Sequence, residues 1–143
     1  MVDPTNKKAK YKRMEISDLT KEYGPPIKAK PTKSIRISTI NLGGLRTDQF
    51  HNQLKQMDRL EIDIQGFCET NVNYNDYNIK RSFQKTLQVY HQESAMIMST
   101  SETKCSSRFK PGGSKLIVVG QQTSRVKEKV ADKLGRYLSL IHI

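Results

Sequence analysis

The sequence predicts an α/β layered domain, and three observations carry that expectation. SIRISTIN (34–41) is β-branched and alternates Ile35, Ile37 and Thr39 on one face, which marks a strand. Phe50, Leu54, Met57 and Leu60 then step by four and three, the spacing of one helix face. IDIQGFCE (62–69) follows after a short connection as a second apolar strand. Strand, helix and strand in that order most simply make a parallel pair with the helix packed on one side.

The remaining elements follow in order. LGGL (42–45) ends the first strand with two glycines, which permit a tight turn. Thr47 or Asp48 is expected to cap the first helix. Residues 76–92 give a weaker helix, with Ile79, Phe83, Leu87 and Tyr90 aligned. SAMIMST (94–100) reads as a strand, TSETKCSSRFKPGG (100–113) as a polar loop, and SKLIVVG (114–120) as a strand of Leu, Ile and Val. QQTSRVKEKVADKLGRY (121–137) turns polar again, and the apolar end SLIHI (139–143) reads as a cut or misread terminus. No internal repeat is visible, and the sheet reads as unfinished.

Residues 1–33 differ from residues 34–143. They hold nine of the Lys and Arg residues against four acids, and four of the five prolines, with few apolar side chains. Such a segment cannot offset the entropy of ordering itself, so a flexible basic tail is expected, with a short helix conceivable near 14–23. Its run KKAKYKR (7–13) fits a nuclear-import signal, a phosphate-gripping arm or a plain solvated tail.

The chain has 25 Lys and Arg against 14 Asp and Glu, a formal charge of +11. That surplus favours a polyanionic partner, nucleic acid before an anionic membrane, without choosing DNA over RNA. Two cysteines, Cys68 and Cys105, are too few for a disulfide scaffold, and Cys68 reads as a buried thiol. No apolar stretch is long enough for a membrane span and no signal peptide is visible, so the chain reads as intracellular. Its oligomeric state is not legible.

Asn41 and Glu69 end two successive strands. In a parallel pair both would emerge at the carboxyl edge of the sheet, where open α/β sheets place ligands. One carboxylate with amide support suits Mg²⁺, although a solvated strand end and an Asn-Gly-Gly turn would account for the same residues. Lys104, Arg108, Lys110 and Lys115, with Phe109 among them, form a candidate backbone-contacting patch or a solvated loop. Tyr74, Tyr77 and Tyr90 are candidates for base stacking or for packing. PGG (111–113) lacks the Lys-Ser/Thr of a phosphate loop and reads as a turn.

NLGGL (41–45) followed by GFCETN (66–71) resembles the first two motifs of the endonuclease/exonuclease/phosphatase superfamily. SSRFKPGGSKLIVVG (106–120) resembles the family's next segment. With DKLGRY (132–137), the wording is similar to endonuclease-like domains of retroelement polyproteins. Cys68 stands where the family carries Gln. The resemblance implies an αββα sandwich and a Mg²⁺-dependent phosphodiester hydrolase acting on DNA, with Glu69 on the metal and Asn41 orienting metal or phosphate. The resemblance places the family's Asp-x-Asn and Ser-Asp-His motifs well downstream of these segments, past Ile143. The resemblance therefore implies an incomplete αββα sandwich, the amino-terminal half of such a domain, with little activity by itself. His51, His91 and His142 lack the context of a general base, and Asp132 reads as a turn cap with Arg136 beside it. Two alternatives stay open: a non-catalytic nucleic-acid-binding module, and a phosphoinositide or sphingolipid phosphatase of the same superfamily.

Overall fold

Strand β1 (Ile37–Asn41) runs parallel to β2 (Ile64–Cys68), with Ile40 opposite Phe67 and Asn41 opposite Cys68. A computed structural model describes residues 26–142, so the basic run at 7–13 and the helix expected near 14–23 lie outside the described residues. Helix α1 (Thr47–Arg59) makes the crossover between the two strands. Helix α2 (Tyr77–Tyr90) leads to β3 (Ser94–Ser99), and the polar loop leads to β4 (Ser114–Val119). β4 pairs antiparallel with both β2 and β3, giving the order β1-β2-β4-β3. The architecture is mixed α/β, as the alternation of periods predicts.

Both helices sit where their apolar stripes demand. Phe50, Leu54 and Met57 of α1, with Phe83 and Leu87 of α2, pack with Phe67, Ile117 and Val119 of the sheet. Phe50 is the hub, edge-on to Phe83 at 5.0 Å and to Phe67 at 6.3 Å between ring centroids. Such edge-to-face pairs add to the burial of the rings themselves. Asp76 caps α2 by accepting from the Asn78 and Ile79 amides. The cap of α1 is Arg46 rather than Thr47 or Asp48. Its amide donates to Gln49 Oε1 at 2.9 Å, so the third helical residue reaches back to the backbone donor of the cap residue itself.

The region expected to stay polar after β4 is a short 3₁₀ turn (Gly120–Arg125) and a hairpin, β5 (Val126–Ala131) with β6 (Leu138–His142). The apolar end is thus a strand, not an appendage, and it pairs with the polar strand before it. Asp132 closes the hairpin as expected, accepting from the Tyr137 amide at 3.2 Å and from Arg136 Nε at 3.0 Å. The hairpin packs on β3 and β4.

Residues before β1 contact the sheet from Lys28 onward. Lys30 Nζ lies 2.8 Å from the Asp63 carboxylate, which also accepts from the Arg36 amide. The Arg36 guanidinium donates to the carbonyls of Leu60 and Lys28.

One face of the sheet is covered unevenly. Ile37, Ile64 and Val118 are neighbours in register on that face, yet Val118 is fully buried while Ile37 is 65% exposed.

Replacing the hub should be costly because Phe50 is fully buried and packs edge-on against both Phe67 and Phe83. Phe50→Ala is expected to lower the free energy of unfolding by about 3–5 kcal/mol. Urea denaturation of both proteins checks this, and a loss under 1 kcal/mol would contradict the packing described.

Candidate functional site

The parallel register brings Asn41 and Glu69 to the same edge. Asn41 stands opposite Cys68, so Glu69 leaves β2 one residue beyond it. Both side chains are exposed. The Leu42 amide donates to the Cys68 carbonyl, prolonging the pairing past the strand end. Asn41 Oδ1 accepts from the Gly43 amide at 3.0 Å, the short-range bond by which Asn folds the chain into a turn. Gly43 has a φ of 59°, which glycine adopts without a Cβ penalty.

Glu69 and Asn71 also have positive φ, 50° and 52°. Asn tolerates this conformation, whereas for Glu it is strain of order 1–3 kcal/mol that the surroundings must impose. The surroundings do so through Asn71. Its Nδ2 donates to the Gly43 carbonyl at 2.9 Å and its Oδ1 accepts from the Gly112 amide at 2.8 Å. The Asn71 amide donates to the Gly112 carbonyl, the Thr70 amide to Gly113, and the Leu45 amide to Thr70. Three loops are therefore laced at one point: β1–α1, β2–α2 and β3–β4. Gly113 completes the lacing, because a Cβ there would stand 3.1 Å from both the Ser99 carbonyl and Thr70 Oγ1.

Asn73 does the same one turn outward. Buried, it donates through Nδ2 to the carbonyls of Cys105 and Ser107, and its amide bonds the Arg108 carbonyl. Sequence reading passed over Asn71 and Asn73 as breaks in an apolar pattern. The available signal was an amide side chain on each side of Val72, since only Asn and Gln both donate and accept from one planar group.

The expected basic patch divides. Lys104 and Arg108 are exposed, and Arg108 Nη2 donates to Thr47 Oγ1 at 2.9 Å. Lys110 is buried, with its ammonium bonded to the carbonyls of Ser101 and Thr103, so it ties the loop instead of facing solvent. Lys115 is 1% exposed, on the core side of β4. Its Nζ lies 3.3 Å from the Phe83 ring centroid, 4.2 Å from Phe50 and 5.1 Å from Tyr74. It has no hydrogen-bond partner among the described residues. Neither buried lysine reaches a phosphate from these positions. Alternation decides this: Lys115 shares its face with Phe67, its register partner.

Burial holds the Lys115 ammonium well below the ordinary lysine range, and the three ring faces offset part of that by attracting the cation. Tyr74 belongs to the same box. Burial pushes its phenol up, the neighbouring Thr70 hydroxyl offsets little, and neither hydroxyl makes a well-formed hydrogen bond. Tyr74 is thus a core residue, whereas Tyr77 is exposed and Tyr90 packs edge-on to His51. His51 Nδ1 lies 3.1 Å from the Tyr90 hydroxyl, and His91 Nε2 lies 3.3 Å from Asp58. Both act in packing, as expected. Cys68 departs from expectation: it is exposed, because it alternates with Phe67 and so faces the uncovered side of β2.

Among the described residues no group of three or more His, Cys, Asp or Glu side chains could hold a metal ion. The edge offers one exposed carboxylate, Glu69, one residue past the register partner of Asn41. That donor set fits a hard cation that keeps several waters and takes substrate phosphate, not a closed protein cage. No helix among the described residues is long and apolar enough to cross a membrane.

No family model matches the chain, and no curated protein matches it. Among solved structures, an endonuclease/exonuclease/phosphatase family protein from Leptotrichia buccalis C-1013-b is similar, with a TM-score of 0.47 and 16% identity. The match covers 75% of this chain and 49% of that one, so the chain spans about half the length of its neighbour.

The unpartnered amine makes a stability test. Because the folded form holds Lys115 below the ordinary lysine value of about 10.4, the unfolded chain binds more protons between the lowered folded value and that pH. The residue's penalty is then largest at low pH and fades as pH rises toward about 10.4. Lys115→Met should raise stability by about 1–3 kcal/mol near neutral pH and flatten this rise. Unfolding free energies from pH 6 to 10 measure both effects, and a destabilised variant would mean the amine has a partner.

Proposed function

We propose that this chain carries part of a Mg²⁺-dependent phosphodiester hydrolase of the endonuclease/exonuclease/phosphatase type, acting on nucleic acid and related to retroelement endonuclease domains. The observation that supports it most is the placement of Glu69, a strained, exposed carboxylate one residue past a parallel strand pair, at the same sheet edge as Asn41. Backbone strain of this kind persists where neighbours over-determine it and concentrates at functional positions. The motif resemblance at 41–45 and 66–71 supports the same reading.

In this reading Glu69 holds the cation and Asn41 orients a water or phosphate oxygen beside it. The cation, when bound, polarises the phosphate and stabilises charge on the leaving oxygen. Asn71 acts at one remove, keeping the Glu69 backbone left-handed by fixing Gly43 and Gly112 around it. The described residues place one carboxylate and no histidine at this edge, so cation affinity and turnover from these groups are expected to be low. The formal charge of +11 supports a polyanionic substrate, of which nucleic acid is the commonest kind. The alternative, a nucleic-acid-binding module without chemistry, needs only that charge and gives Glu69 no role.

Relaxation of supercoiled plasmid by the full chain in MgCl₂ tests the assignment. Nicking is expected to stop in EDTA and to fall at least about tenfold in Glu69→Gln. Equal nicking by the variant would remove Glu69 from the metal; where turnover is too slow to detect, Mg²⁺ binding by calorimetry that is unchanged in Glu69→Gln would do the same and favour the binding module.

A further inference from the structure

Beside the lacing point lies a cavity of about 330 Å³ that the hydrolytic reading does not use. It falls within the range of small-molecule sites, roughly 300–1,000 Å³. Leu45 and Val72, both buried, line it, and Phe109 stands in its wall with 59% of its surface exposed. Arg46 and Arg108 line it too, and no carboxylate does. Asn71, two residues from Glu69, connects it to the candidate edge.

Each feature is unusual for a mere surface depression. Phe109 has Lys110 beyond it and Arg108 before it, and its backbone bridges Val72, so the ring is held at the cavity while its face stays open. An aromatic ring held exposed by a fixed backbone forfeits burial that the core would supply. Arg108 keeps its orientation through Thr47, and Arg46 begins α1 with its guanidinium 3.3 Å from the exposed Asp48. The result is an apolar slot, one open ring and two guanidinium groups, a combination suited to a flat aromatic group bearing a neighbouring phosphate.

We propose that this cavity is a nucleobase subsite: one unpaired base stacks on Phe109 over Leu45 and Val72, and its flanking phosphates meet Arg46 and Arg108. The inference deepens the hydrolytic reading and rests on it for the direction of the strand, which would run from this slot toward Glu69. It assigns a substrate class that charge alone cannot, namely single-stranded or locally opened nucleic acid, because a base inside a duplex cannot enter the slot.

The chain contains no tryptophan, so Phe109→Trp places a single reporter in the wall. Its fluorescence is titrated, in EDTA and in the Glu69→Gln background so that no hydrolysis intervenes, with an eight-nucleotide thymidine DNA, its abasic counterpart of equal charge, the uridine RNA and a blunt duplex. Quenching by the two base-bearing strands, with affinity at least about fivefold above the abasic strand and the duplex, is the expected result. Phe109→Ala, followed by anisotropy of a labelled thymidine strand, should erase the preference for bases, and Arg46→Gln with Arg108→Gln should weaken all strands alike. Equal affinity for base-bearing and abasic strands, or a preference unchanged in Phe109→Ala, overturns the proposal. Because binding is read without metal, that outcome leaves the Glu69 assignment standing, and loss of nicking in Glu69→Gln leaves this one standing.

Discussion

The pair of hydrogen bonds made by the Asn71 amide is the constraint on which the functional end of the molecule depends. One planar group donates to the β1–α1 turn and accepts from the β3–β4 turn, 28 and 41 residues away in sequence. An Asp in its place would lose the donor, and a Leu would lose both bonds and leave two backbone groups unmatched. The Gly43 turn, the Gly112–Gly113 turn and the left-handed backbone at Glu69 are arranged around that group. The strain at Glu69 is tolerable because the bonds beside it are numerous and mutually consistent.

The interior is organised by a different compromise. A lysine occupies the centre of a ring of aromatic side chains where a Leu or Met would satisfy packing, and Lys110 spends its ammonium on two loop carbonyls. Two of the 25 basic residues are therefore spent inside the fold, and the field presented to a polyanion is weaker than the formal charge suggests. The exposed arginines near Phe109 gain in relative importance for the same reason.

The periodic elements were legible in the sequence, and for identifiable reasons. Phe50, Leu54 and Met57 mark the buried face of α1, and the β-branched runs mark β1 and β4. Asp76 caps α2 from its own side chain. The hairpin β5–β6 was not legible, because half of β5 is Lys and Glu, only Val126 and Val130 mark an apolar face, and the partner strand comes after a turn of six residues. At the site, strand order placed Asn41 beside Glu69, but the roles of Asn71, Asn73 and the buried lysines arise from contacts distant in sequence. Lys115 could have been placed by counting from Ile117, since residues two apart share a face.

Among the described residues, the face of β1 and β2 that carries Ile37, Thr39 and Cys68 lies open, and β1 ends the sheet with no strand on its outer edge. Solvated apolar surface next to free backbone donors and acceptors is adhesive toward its own kind. The net positive charge opposes that adhesion, and such repulsion reaches only about 10 Å at 0.1 M salt and about 3 Å at 1 M. Colloidal behaviour should consequently invert the usual habit of handling basic proteins: concentrated brine, chosen to strip bound polyanions, would also remove the barrier that keeps this sheet from finding another.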